Sequence, residues 1–180
     1  TIAGTSFSTS VLYLTLFAVI AYSAKGLRFK EKPFLDSLTS SSHFVGPVIF
    51  ALALAKVDMT QPIISTSIVA FGLWGIASHA FGAVQDVVAD RNGGIASIAT
   101  IIGARATVRL SIVMYAAAAI LLLRLDWPYS LAALAAVPYL VIVAPFWNIT
   151  NETCEKANAG WKKFIWLNFI AGAIVTLLVI

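Results

Sequence analysis

HAFGAVQDVVADRNGGIASIATIIGAR, residues 79–105, decides how this chain is read. An apolar helical run meets two carboxylates, Asp86 and Asp90, and is then closed by Arg91-Asn92-Gly93-Gly94. If the helix continues through both acids, their spacing of four places them on one face with Cβ atoms about 5–6 Å apart. That separation suits Mg²⁺, which is held by one or two protein carboxylates and keeps positions open for phosphate oxygens. His79, Ala83, Asp86 and Asp90 follow a 4-3-4 pattern, so the stripe points into a cavity or a bundle core. A solvated, idle helix end is the bland alternative for the acids, and an interior hydrogen-bonded histidine is the bland alternative for His79. Gln85 and Arg91 beside the acids, with the double glycine, favour a site, in which His79 and Gln85 are pocket residues.

Outward from this stretch the chain is apolar. Hydrophobic residues make up 60% of the 180 and charged residues 11%, and the mean hydropathy is +0.91, which excludes an ordinary soluble domain. Helices able to cross about 30 Å of hydrocarbon are expected at 4–23, 37–55, 62–84, 107–123, 129–147 and 164–180. The fold class is therefore all-α, a polytopic transmembrane bundle with six spans in one membrane domain over 1–180. The first span arrives without a lead-in and the chain starts at Thr1, so an N-terminal portion is expected to be missing.

Basic residues orient the bundle. The connections near 24–36, 85–106 and 148–163 fall on one side with Lys25, Arg28, Lys30, Lys32, Arg91, Arg105, Arg109, Lys156, Lys162 and Lys163. The other side holds only Lys56 and Arg124. This bias makes the first side cytoplasmic, and with it the two acids. The formal net charge of +4 thus reports topology, and nothing resembles a nucleic-acid module. Cys154 is the single cysteine, which excludes an intramolecular disulfide and a cysteine-based metal site. The Asn-x-Thr triplets at Asn148 and Asn151 lie on the cytoplasmic side and read as chance.

The basic connection YSAKGLRFKEKPFLD, residues 22–36, lies on the same side as the acids. Alone it is an ordinary positive-inside loop; opposite two carboxylates it reads as a phosphate grip, with Arg28 and Lys30 reaching a polyanion and Tyr22 adding a hydroxyl. His43 lacks a metal-ligand companion and reads as a packed or interfacial histidine, and Pro47 is expected to kink the second span. Gly72, Gly75 and Gly82 let neighbours approach the third span. Phe71, Trp74 and Phe81 are core residues or an aromatic lining for a cation. The last three spans, rich in Ala, Leu, Ile and Val, read as scaffold or as walls of an apolar chamber.

Two segments together resemble the UbiA family of intramembrane prenyltransferases. DVVADRNGG is similar to its second Asp-rich motif, with Asp86, Asp90 and Gly94 in register. YSAKGLRFK is similar to its YSxxPLRxK-type segment: Tyr22, Arg28 and Lys30 match, and Lys25-Gly26 stands where a Pro-Pro pair is common. Within the family, AFGAVQD and the DR…GI.S.AT run are most like the lycopene elongase branch of C50-carotenoid pathways.

The resemblance implies about nine helices and a first Asp-rich motif, NDxxDxxxD, which this sequence lacks; the chain alone is therefore expected to be inactive. It also implies Mg²⁺ on Asp86 and Asp90. Arg28 and Lys30, with Lys25, Arg91 and Tyr22, would neutralise an allylic diphosphate, dimethylallyl diphosphate in this branch. The acceptor is an apolar isoprenoid in the bilayer, lycopene in this branch and a quinone, chlorophyll or lipid in others. The expected location is a bacterial cell membrane with the site facing the cytoplasm. Two rivals differ in class: an ion-coupled transporter, whose acids belong nearer the midplane of repeated halves, and a non-catalytic scaffold subunit bound to a membrane partner.

Overall fold

A computed structural model describes residues 5–179, which are helical without a strand. The outermost residues of the first and last expected spans, 4 and 180, and the start at Thr1 lie outside the described residues. Helix α1 is Ser6–Ser23, α2 Leu35–Leu54, α3 Pro62–Val84, α4 Val87–Asn92, α5 Ile98–Ile102, α6 Ala104–Leu122, α7 Ala136–Val143 and α8 Asn158–Val179. Among the described residues, five stretches are long and apolar enough to cross a membrane: α1, α2, α3, α6 and Tyr129–Phe146. The chain is a multi-pass membrane protein. The sixth expected span, 164–180, falls in α8 as far as Val179, a 22-residue helix that is not among those five.

Several starts and stops follow local chemistry. Thr5 caps α1 by accepting from the Ser8 N–H at 3.1 Å. Pro62 occupies the first turn of α3, where its missing N–H costs nothing. The fifth span is not one regular helix: 3-10 turns at Tyr129–Ala135 and Ala144–Phe146 flank α7. Pro145 in the second of these turns has no N–H to continue an α-helical ladder.

Helix α3 is the central post, packed against α2 on one side and α6 on the other. Glycine makes the first of these contacts close: a Cβ on Gly75 would lie 2.6 Å from the Ser41 hydroxyl oxygen. Ser41 in turn donates to the Gly72 carbonyl at 2.8 Å. The core runs from Ala77, Phe81 and Val84 of α3 to Val108 and Tyr115 of α6, with Tyr139, Cys154 and Phe164 closing it. Helix α1 is the outlier, exposing Phe7, Tyr13, Leu14, Phe17 and Ile20.

At one end of the bundle the three basic connections meet. Asp36 in the first turn of α2 accepts the Ile98 N–H of α5 at 2.8 Å, and Asn151 accepts the Ala104 N–H of α6 at 2.9 Å. Lys56 and Arg124 follow the far ends of α2 and α6.

Candidate functional site

The expected continuous helix through both acids is interrupted. Helix α3 stops at Val84, and Asp86 is the flanking residue that opens the six-residue α4. The break falls where its freed carbonyls find donors. The Gln85 side-chain amide donates to Gly82 O at 3.1 Å, the Asp86 N–H to Ala83 O at 3.3 Å, and the Cys154 thiol to Gln85 O at 3.5 Å. The four-residue relation survives the break, because the Asp90 N–H donates to Asp86 O at 2.8 Å. The acids therefore remain one turn apart, held beneath by the fully buried Val87.

Among the described residues, neither carboxylate has a hydrogen-bond or ion-pair partner; the one ion pair joins Arg28 and Glu31. Partial desolvation pushes the Asp86 carboxyl above the usual carboxylate range. Asp90 is raised for the same reason first, then by the charges of Asp86 and Glu31. The charge of Glu31 reaches Asp90, so the 22–36 connection lies at the same end of the bundle as α4. That connection turns sharply, with Arg28 at φ 42° and Gly26 at φ 92°, and then forms the 3-10 turn Phe29–Glu31. Lys25 is exposed and Lys30 half-buried.

Two unpartnered carboxylates of raised proton affinity are a donor set that fits a hard divalent cation. No cluster of three or more His, Cys, Asp or Glu exists among the described residues, so a metal bound here would rest on this pair.

Other expected site residues are spent differently. The Arg91 guanidinium donates twice to Thr100 O, at 3.1 and 2.6 Å, which ties α4 to α5 and holds the 93–96 turn. The Gln85 side-chain oxygen Oε1 accepts from the Asn158 amide, turning that side chain towards α8. The Tyr22 hydroxyl is 3.2 Å from His79 Nε2, and His79 Nδ1 is 3.0 Å from the Ser37 hydroxyl. His79 thus bolts α3 to the ends of α1 and α2 beneath the acids. His43 stacks edge-on against Tyr22 with ring centroids 5.1 Å apart, and its shielded Nε2 has no partner among the described residues.

Asp36 is the functional-looking residue that the sequence concealed. It is fully buried and accepts the N–H groups of Ser37 at 2.7 Å and Ile98 at 2.8 Å. Its one visible signal was an acid in the first turn of an apolar helix, where backbone donors are free.

Towards the opposite end lies an apolar cavity of about 650 Å³, lined by α2, α3, α6, the Tyr129–Phe146 segment and α8. Phe71 and Trp74 stack at 5.3 Å and face it with Tyr115 and Tyr139. Phe81 does not: it is fully buried against Phe146 and Phe164.

Comparison with known proteins now adds to this geometry. Residues 3–175 match the UbiA prenyltransferase family. The chain belongs to that family. It is 50% identical to a lycopene elongase/hydratase of Corynebacterium glutamicum over 99% of this chain and 62% of that protein. It is 49% identical to the C(50) beta-cyclic carotenoids biosynthesis protein LbtBC of Dietzia sp. over 99% of this chain and 41% of that protein. A lycopene elongase/hydratase of Haloferax volcanii is 30% identical over 89% of this chain and 50% of that protein. The chain thus spans less than two thirds of the length of these relatives. No solved structure matches it.

Proposed function

We propose that this chain supplies the second carboxylate pair, the basic loop and the acceptor chamber for Mg²⁺-dependent transfer of a prenyl group. The donor is an allylic diphosphate, dimethylallyl diphosphate by analogy with the lycopene elongase branch, and the acceptor is lycopene. The observation that carries this reading is the pair Asp86 and Asp90, one turn apart and without an ion-pair partner among the described residues, at the same end of a membrane bundle as a cationic loop.

Asp86 and Asp90 would hold the metal, which supplies charge neutralisation for the departing diphosphate. Lys25 and Lys30, with Arg28 once it exchanges Glu31 for phosphate oxygens, stabilise the negative charge as it grows on the leaving group. Arg91 acts at one remove by fixing α4 on α5, and Tyr22 and His79 hold the base of the site. The bond from the allylic carbon to the diphosphate oxygen breaks, and that carbon is taken up by a π bond of the acceptor. The cation left on the acceptor is closed by addition of water, which then loses a proton to solvent, in keeping with the hydratase in the relative's name. The apolar chamber keeps bulk water out until that step.

The basic-residue bias supports a site on the cytoplasmic face of a bacterial membrane. The test is prenyl transfer to lycopene in membranes holding this chain together with the part of the corynebacterial relative that it does not cover. Asp86→Ala or Asp90→Ala is expected to lower turnover at least a hundredfold, as removing a transition-state charge stabiliser does. Near-normal turnover in both variants would remove the assignment.

A further inference from the structure

A second cationic site lies at the basic end, built from residues that the proposed reaction does not use. A cleft of about 390 Å³ runs between the start of α6, Gly103 to Arg109, and residues 149–152. Arg105 and Arg109 stand one turn apart on the same face of α6 and both line it. The Arg109 guanidinium lies 4.7 Å from the centre of the Trp147 ring, and its Nε is shielded from water with no partner among the described residues. The remaining contacts are long: Arg109 Nη2 to Asn148 Oδ1 at 3.4 Å and Arg105 Nη2 to Asn148 O at 3.5 Å. No carboxylate pairs with either arginine among the described residues. The one acid on the rim, Glu152, forms no ion pair with either of them.

An arginine that only records topology extends into water. Arg109 instead is laid over an indole, with donors left facing a cleft. The surroundings are those of a membrane surface: Ile101 and Trp147 are exposed beside the cleft, and Val113 and Val141 continue exposed apolar surface along α6 and α7. Basic pockets against transmembrane helices at this level take phospholipid head groups, and the guanidinium fork matches two phosphate oxygens.

We propose that the Arg105–Arg109–Trp147 cleft binds the phosphate of an anionic phospholipid, with the acyl chains lying along the exposed faces of α6 and α7. The site is separate from the Asp86–Asp90 pair and stands whether or not the prenyl-transfer reading does.

The chain purified in neutral detergent would be titrated with phosphatidylglycerol, phosphatidylcholine and inorganic phosphate, following retained lipid by native mass spectrometry and the unfolding midpoint. The expected result is retention of phosphatidylglycerol over phosphatidylcholine, a raised midpoint with the former alone, and no effect of phosphate at equal concentration. Arg105→Gln, at an exposed position, is expected to weaken retention about tenfold, as loss of a charge-assisted hydrogen bond does, and Arg109→Gln to weaken it further. Lys156→Gln, an exposed cation at the same end, is expected to change nothing. Equal retention of the two lipids, equal protection by phosphate, or the same loss in Lys156→Gln as in Arg105→Gln would each overturn the proposal.

Discussion

Three effects act together on Asp90: partial burial, the charge of Asp86 and the charge of Glu31 all favour its protonated form. A carboxyl whose folded pKa lies above its unfolded value makes the fold less stable once it ionises, so without metal the pair's contribution improves as pH falls through the raised values. A bound divalent cation reverses that sign, because it binds the ionised form. Mg²⁺ is therefore expected to raise the unfolding midpoint at pH 7, and the increment to fade on acidification at higher pH than for an ordinary carboxylate pair. Scanning fluorimetry with and without Mg²⁺ across pH 4.5–7.5, roughly the range bracketing a raised carboxylate, checks this; an Asp90→Asn variant that keeps the whole increment would refute it. With both ring nitrogens engaged by Tyr22 and Ser37, His79→Phe strands two hydroxyls and is expected to cost about 1–3 kcal/mol, read as a lowered denaturation midpoint in detergent.

Between elements, Asp36 joins the start of α2 to α5 by accepting a backbone donor from each. Asp36→Ala leaves the Ile98 N–H buried without a partner, so it is expected to destabilise by about 1–3 kcal/mol and to loosen residues 93–103 first, seen as faster amide exchange there. Exchange unchanged across that segment would mean that the anchor is not needed. This contact also marks the limit of what the sequence could reveal. The helices were legible because long apolar runs must satisfy their backbones internally in a membrane, and the ends fell within a few residues of α2, α3 and α6. The interruption at Gln85-Asp86 was not legible. A spacing of four is compatible with a continuous helix, and the donors that permit the break come from Cys154 and from the Gln85 side chain itself. The same holds for Arg91: its type and position suggested a phosphate ligand, while the Thr100 carbonyl that occupies it approaches only after α5 has folded back.

Across the whole molecule, the acids and the chamber sit at different depths on one post. Helix α3 carries Trp74 on the chamber wall and stops at Val84, ten residues on, which is about 15 Å along the axis. An acceptor that fills the chamber and also reaches the acids must be long and thin, a shape that a polyene has and a compact quinone ring lacks. Depth also makes the two ends separable by mutation. Ala118 and Ala136 line the chamber on different elements, so Ala118→Phe or Ala136→Phe fills space in an existing cavity of about 650 Å³ without touching the basic end. Each is expected to reduce co-purifying polyene absorbance severalfold while leaving the Mg²⁺-dependent midpoint shift unchanged. Loss of the shift together with the polyene would mean that the two ends form a single cooperative unit. Retention of the polyene in both variants would mean that the acceptor lies elsewhere.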